Sequence, residues 1–245
     1  MSEPRTTLVY DLPTRLFHVL FAGLFITAFT IAQVAEDSAG FPLHMIAGAL
    51  LAALVLFRVM WGVFGTRHAR FASFALHPRG LVGYFRDILA GGKRTWAGHN
   101  PASSWAALLM LALAAGLAIT GWSMINGREQ YEELHEVLAN AFLATALLHV
   151  MGVILHSLRH RDGFARSMVD GRKVAAPDEG ISTARPVAGL ALMAAVAMLG
   201  VYMVRNLDMA SGTLQAFGMT LRLGESEGAG GHGDADESGE DRDDD

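Results

Sequence analysis

His135 and His149 lie fourteen residues apart in HEVLANAFLATALLHV. Fourteen residues is close to four α-helical turns, so both imidazoles leave a helix from nearly one face, about 21 Å apart along its axis. Histidines stacked this way in an apolar helix suit two metal centres set near opposite sides of a bilayer. Haem iron held by two axial imidazoles is the chemistry that uses them. Such an arrangement needs two partner histidines on other helices. His18 in TRLFHVLFAG and His44 in FPLHMIAGAL supply them.

The elements that must carry these side chains are membrane helices. Of 245 residues, 52% are hydrophobic, and they fall in long blocks rather than amphipathic stripes. Five blocks, at about 16–34, 43–64, 105–125, 137–158 and 186–204, reach the roughly 20 residues needed to cross a hydrocarbon core. The expected class is therefore all-α and polytopic. The first block lacks a convincing small-x-small cleavage site, so it reads as a span rather than a signal peptide. With no cysteine there is no disulfide, no thiolate metal site and no c-type haem attachment, and a metal must be held by His or carboxylate.

Charge placement orients the spans. Arg5 and Arg15 precede the first; Arg67, Arg70, Arg79, Arg86, Lys93 and Arg94 fill the loop after the second; Arg159, Arg161, Arg166, Arg172, Lys173 and Arg185 follow the fourth. The opposite side has only Arg128, Arg205, Arg222 and Arg242. The positive-inside rule then sets the N-terminus in the cytoplasm and the C-terminus outside. Within the long basic loop, RGLVGYFRDILAG is amphipathic and suited to the inner membrane surface. The fifth span carries no ionisable side chain and reads as an anchor or packing helix. Residues 171–206 are expected to form a cytoplasmic linker plus this helix, and 207–245 a disordered periplasmic acidic tail, whose last 21 residues hold ten acids.

Ten histidines are present, and most need no function. His68, His77, His99 and His160 fall in loops and His232 in the tail, where solvation is the default. Intramembrane imidazole is costly and usually partnered. His44 and His135 both fall in the first turn of an inward-running helix, so their depths agree. His18 lies near the inner end of the first span, where either His149 or His156 can approach it, and counting from the span end slightly favours His156. Gly23, Gly48, Gly116 and Gly152 would let a flat porphyrin or another helix come close. Arg15 and Arg58, near the inner end, are candidates for haem propionates or for snorkelling anchors.

VYDLPTRLFHVLF, the Leu43–His44 pair, RVMWGVFGTRHARF, AGHNP and HEVLAN…LLH, in that order, resemble the bacterial cytochrome b561 family, which is similar to the b-type cytochrome subunits of nickel–iron hydrogenases. The resemblance covers about 8–170 and implies a four-helix bundle with two b haems. It implies His18 with His149 for the inner haem and His44 with His135 for the outer one, choosing His149 over His156. The fifth span and acidic tail depart from the shortest members.

Bis-His ligation leaves no open iron site, so outer-sphere electron transfer is the expected chemistry. The expectation is an electron carrier of the bacterial inner membrane, passing electrons between the quinone pool and a periplasmic c-type cytochrome. A hydrogenase cytochrome subunit is the alternative. Superoxide:quinone oxidoreductase activity, the enzymatic alternative, calls for a cationic outer approach, and this outer face is acidic. A histidine relay in a transporter is a further alternative, distinguished by the lack of a haem spectrum. Membrane lipid, quinone, the redox protein and a second copy in a homodimer are the expected partners, and nucleic acid is not.

Overall fold

The computed structural model describes residues 5–34, 40–92, 96–160, 164–209 and 211–222. Five long apolar helices follow the sequence blocks: α1 (Leu12–Val34), α2 (Phe41–Phe64), α4 (Pro101–Ile125), α5 (Glu132–His160) and α7 (Pro186–Arg205). Two shorter ones, α3 (Pro78–Leu89) and α6 (Ser167–Asp170), lie in the connections. The protein is an all-α polytopic membrane protein, and its two ends are named here by charge, basic and acidic.

At the basic end, helix starts are fixed by side-chain oxygens. Asp11, fully buried, accepts the Thr14 N–H through Oδ1 at 2.9 Å, which caps α1. Its Oδ2 accepts Trp61 Nε1 at 3.1 Å and Thr66 Oγ1 at 2.6 Å, tying the start of α1 to the end of α2. Asn100 caps α4 by accepting Ser103 N–H at 2.8 Å and donates to Tyr84 Oη on α3 at 3.1 Å. That bond explains the His-Asn-Pro string: Asn100 caps, Pro101 occupies the first turn where no amide donor is needed, and α3 is docked. Beyond Tyr84, α3 exposes Val82, Phe85 and Leu89 as one stripe, as an interfacial helix requires.

A clasp closes the same end. Strand β1 (Arg5–Leu8) pairs antiparallel with β2 (Arg172–Ala175), and the Gly171 carbonyl accepts from both Val9 and Tyr10. Gly171 sits at φ +77, and a Cβ there would come within 2.7 Å of the Tyr10 carbonyl oxygen, so only glycine fits. The segment after α5, expected as a linker, thus has a structural partner in the chain's own N-terminus.

Helix α1 packs on α2, α4 on α5, and α2 on α4, while α7 lies against α1 and α2. Gly189 and Gly200 admit Leu12 and Leu50, so the fifth helix is a packing helix. Mid-bundle, one buried residue from each of four helices meets: Phe25, Val55, Ala114 and Phe142. A second core at the acidic end joins Ile46, Leu50 and Met203 to Leu214 and Ala216. Those last two belong to a three-stranded sheet of β3 (Leu207–Asp208), β4 (Thr213–Ala216) and β5 (Met219–Arg222). The stretch 207–222, expected as the start of an unfolded tail, is therefore folded, because Leu214 and Ala216 alternate inward onto α2 and α7. The acidic residues 225–245, with His232, lie outside the described residues.

Asp11→Ala removes a cap and leaves two half-buried donors, Trp61 Nε1 and Thr66 Oγ1, without their acceptor, so it should cost on the order of 2 kcal/mol. Thermal unfolding in detergent checks this. Asp11→Asn, which keeps an acceptor for the cap, should recover part of the loss.

Candidate cofactor site

His44 and His135 are each the fourth residue of their helix, on α2 and α5 at the acidic end. Their ring centroids lie 6.3 Å apart at an interplanar angle of 72°. Two metal–imidazole bonds of about 2 Å plus two ring radii just over 1 Å give roughly 6 Å between rings bound to opposite sides of one metal. The observed spacing fits that geometry.

The hydrogen bonds decide which nitrogen of each ring is left for a metal. His44 Nδ1 lies 2.8 Å from the carbonyl oxygen of Ala28, which can only accept, so Nδ1 carries the proton. His135 Nδ1 lies 2.8 Å from Thr120 Oγ1, whose own proton goes to the Gly116 carbonyl at 3.0 Å, so Thr120 accepts from His135. Both rings thus present an unprotonated Nε2, the form a metal binds, and both are oriented by a second bond. Beside them, Gly121 approaches the ring: a Cβ there would sit 3.4 Å from His135 Cε1.

Depth at the other end follows from the mid-bundle contact. Phe25 on α1 and Phe142 on α5 have ring centroids 4.3 Å apart. Seven residues toward the basic end from Phe25 is His18, and seven from Phe142 is His149, each about 10.5 Å away on the same helical face. The two histidines are level, and within electrostatic range of one another. His156 lies two turns deeper, buried against Phe164 at 4.7 Å between ring centroids. Helix α5 itself runs on to His160, so both His149 and His156 lie within it.

Toward the basic end are buried donors with no acceptor among the described residues: Arg15 Nε, Arg58 Nη1 and Trp105 Nε1. Arg15 also donates through Nη2 to the Val169 carbonyl. Arg58 is buried in α2, its guanidinium carbon 5.0 Å from the Phe71 ring centroid and within electrostatic range of Asp11. A buried cation needs an acceptor, and haem propionates are acidic groups of the right kind. Among the glycines, a Cβ on Gly23, Gly48 or Gly152 meets nothing within 4 Å, leaving room for a flat group. Gly116 differs, since a Cβ there would come within 3.0 Å of Leu138 Cδ1.

Two loop histidines depart from the expectation of solvation. His68 is buried and donates through Nε2 to the Glu179 carbonyl at 2.6 Å. His99 lies against Tyr10 and Phe74, at 5.6 and 4.8 Å between centroids, with Nδ1 buried. Burial first, then the charges of Arg58, His68, His149 and Lys173, push the His99 imidazole down to about 3. Folding of the basic end over residues distant in sequence covers both rings. His77 remains exposed at the start of α3.

Sequence reasoning missed Thr120, Gly121, Phe142 and Trp105. A signal for Phe142 was present: it bisects the fourteen-residue interval. Thr120 offered a weaker one, a hydroxyl inside an apolar span.

Among the described residues no cluster of three or more His, Asp or Glu side chains can hold a bare metal ion. Two facing imidazoles suffice only when the metal brings its own equatorial ligands, as haem iron does. A helical membrane bundle with such a pair defines a membrane b-type cytochrome of electron transfer. The family model described as Prokaryotic cytochrome b561 matches residues 9–171, and the chain belongs to that family. It is also 24% identical to a probable Ni/Fe-hydrogenase B-type cytochrome subunit from Rhizobium leguminosarum bv. viciae, over 70% of this chain and 90% of the relative. No solved structure matches it.

Thr120→Val keeps shape and removes the His135 acceptor, and should weaken haem retention at this pair about ten- to a hundredfold. Haem titration checks it. His99 generates a pH prediction. Between its ordinary value of 6.5 and about 3, the unfolded chain takes up a proton that the folded chain refuses, so stability falls as pH drops through that window. His99→Phe, which keeps an aromatic ring against Tyr10 and Phe74, should flatten that slope in denaturation profiles.

Proposed function

We propose that the chain is a dihaem electron-transfer cytochrome of the bacterial inner membrane, linking the quinone pool to a redox protein on the outer side. The observation that carries it is the His44–His135 pair, 6.3 Å apart with both Nδ1 atoms already bonded. His18 and His149 serve the second haem, and Arg15 and Arg58 its propionates. Haem iron with both axial positions filled supplies reversible one-electron chemistry without an open site for substrate. The residues' part is to orient the imidazoles, to neutralise propionate charge and, through Phe25 and Phe142, to keep water out between the two levels. With fourteen basic residues at the basic end, including Arg5 and Arg15 before α1, the N-terminus is cytoplasmic and the C-terminus periplasmic.

A soluble c-type cytochrome is the proposed outer partner, supported by the ten acids in the last 21 residues. A hydrogenase is the second reading, favoured by the relative named as a hydrogenase cytochrome subunit, 90% of whose length is matched.

His135→Leu and His44→Leu should each lower the haem:protein ratio from about two to about one, with the α-band of the remaining haem retained. A ratio that stays at two overturns the assignment. Truncation after Gly224 should leave the spectrum unchanged and slow electron exchange with a basic c-type cytochrome at low salt. That difference should fade as the Debye length shrinks to about 8 Å. Equal rates at low salt would argue for the hydrogenase reading.

A further inference from the structure

The turn joining β4 to β5 has a residue that turn chemistry does not favour. Ala216 pairs with Met219, leaving a two-residue loop of Phe217 at φ +53 and Gly218 at φ +77. A mirror-image turn of this kind favours Asn, Asp or Gly at its first position, because a bulky side chain in the left-handed region is strained. Phe217 is held there by its N–H donating to Tyr202 Oη at 3.0 Å, and by a ring contact of 5.3 Å between centroids. Its side chain is nevertheless 70% exposed, with Met219 also exposed beside the turn. In water that position would be unfavourable twice over, for backbone and for apolar surface.

The depth of the tip removes the second penalty. Helix α7 has 20 residues, about 30 Å, the thickness of a hydrocarbon core, so Arg205 marks its boundary and Tyr202 lies one turn inside. Phe217, bonded to Tyr202, shares that depth. A surface groove there has an apolar floor of Ala197, Met198 and Val201 beneath Tyr202, Arg205 and Asn206. An acyl chain below and a phosphate at the arginine match that order. The sheet's own edges can face the polar headgroup region but not the hydrocarbon, which fixes how far it sinks.

We propose that the β4–β5 tip is an interfacial anchor, with Phe217 and Met219 resting in phospholipid of the leaflet at the acidic end and Arg205 facing the phosphates. The surface is continuous with the lipid-facing side of α7, and Phe217 occupies a strained position because lipid contact needs an apolar ring there. The anchor holds the sheet, and through Leu214 and Ala216 the end of α2 that carries His44.

The chain has no cysteine, so single labels are direct. Phe217→Cys and Met219→Cys, each carrying a nitroxide, are reconstituted with haem in phospholipid nanodiscs. Collision with oxygen is compared with collision with a water-soluble nickel chelate. Met198→Cys on α7 serves as the lipid reference and Glu129→Cys as the aqueous one, and an unchanged haem spectrum establishes the fold. Oxygen-dominated collision like that at position 198 is expected. Chelate-dominated collision like that at 129 would overturn the proposal, and so would shielding from both reagents, which would mean that protein covers the tip. Should Phe217→Cys fail to fold, the label at 219 carries the same reading.

Discussion

An imidazole surrounded by hydrocarbon has two nitrogens and no water to satisfy them. At the acidic end the helices answer half of that demand themselves: Ala28 of α1 offers a carbonyl to His44, and Thr120 of α4 offers a hydroxyl to His135. Four helices are thereby engaged at one level, two supplying rings and two supplying the acceptors that orient them. Much of the bundle follows from this. The helices must be in register for the acceptors to meet the rings, and Gly121 brings the α4 backbone close beside the His135 ring.

The same logic sets the interior between the candidate levels. Phe142 is seven residues from both His135 and His149 and touches Phe25, with Phe21 at 5.7 Å on the same side. An aromatic layer at the midpoint does two jobs. It supplies the buried apolar contact that holds α1 to α5, and it separates the two histidine levels with dense, water-free packing.

How far the sequence could be read depended on the range of the interaction. Spans were legible because bilayer thickness imposes one length on every helix. The pairing of His44 with His135 was legible because rings at matched depth in apolar segments stand out, whereas counting from the end of the fourth span left His149 and His156 as rival candidates beside His18. Burial of His68 and His99 was not legible, since the atoms covering them come from residues more than a hundred positions away for Glu179 and about ninety for Tyr10. The sheet after α7 was hidden by its acidic neighbours, even though Thr-Leu recurs on both sides of Phe-Gly in TLQAFGMTL, the mark of a short hairpin.

The clasp between β1 and β2 bears on how the molecule is made. Arg5 pairs with Ala175, so a strand that lies before the first span finds its partner only after four spans have been synthesised. Until then α1 has a fixed cap but a free leading strand, and the basic end stays open beside Arg15, Arg58 and His149. Any group too large to pass between packed helices has that interval in which to enter, and strand pairing then shuts the doorway behind it.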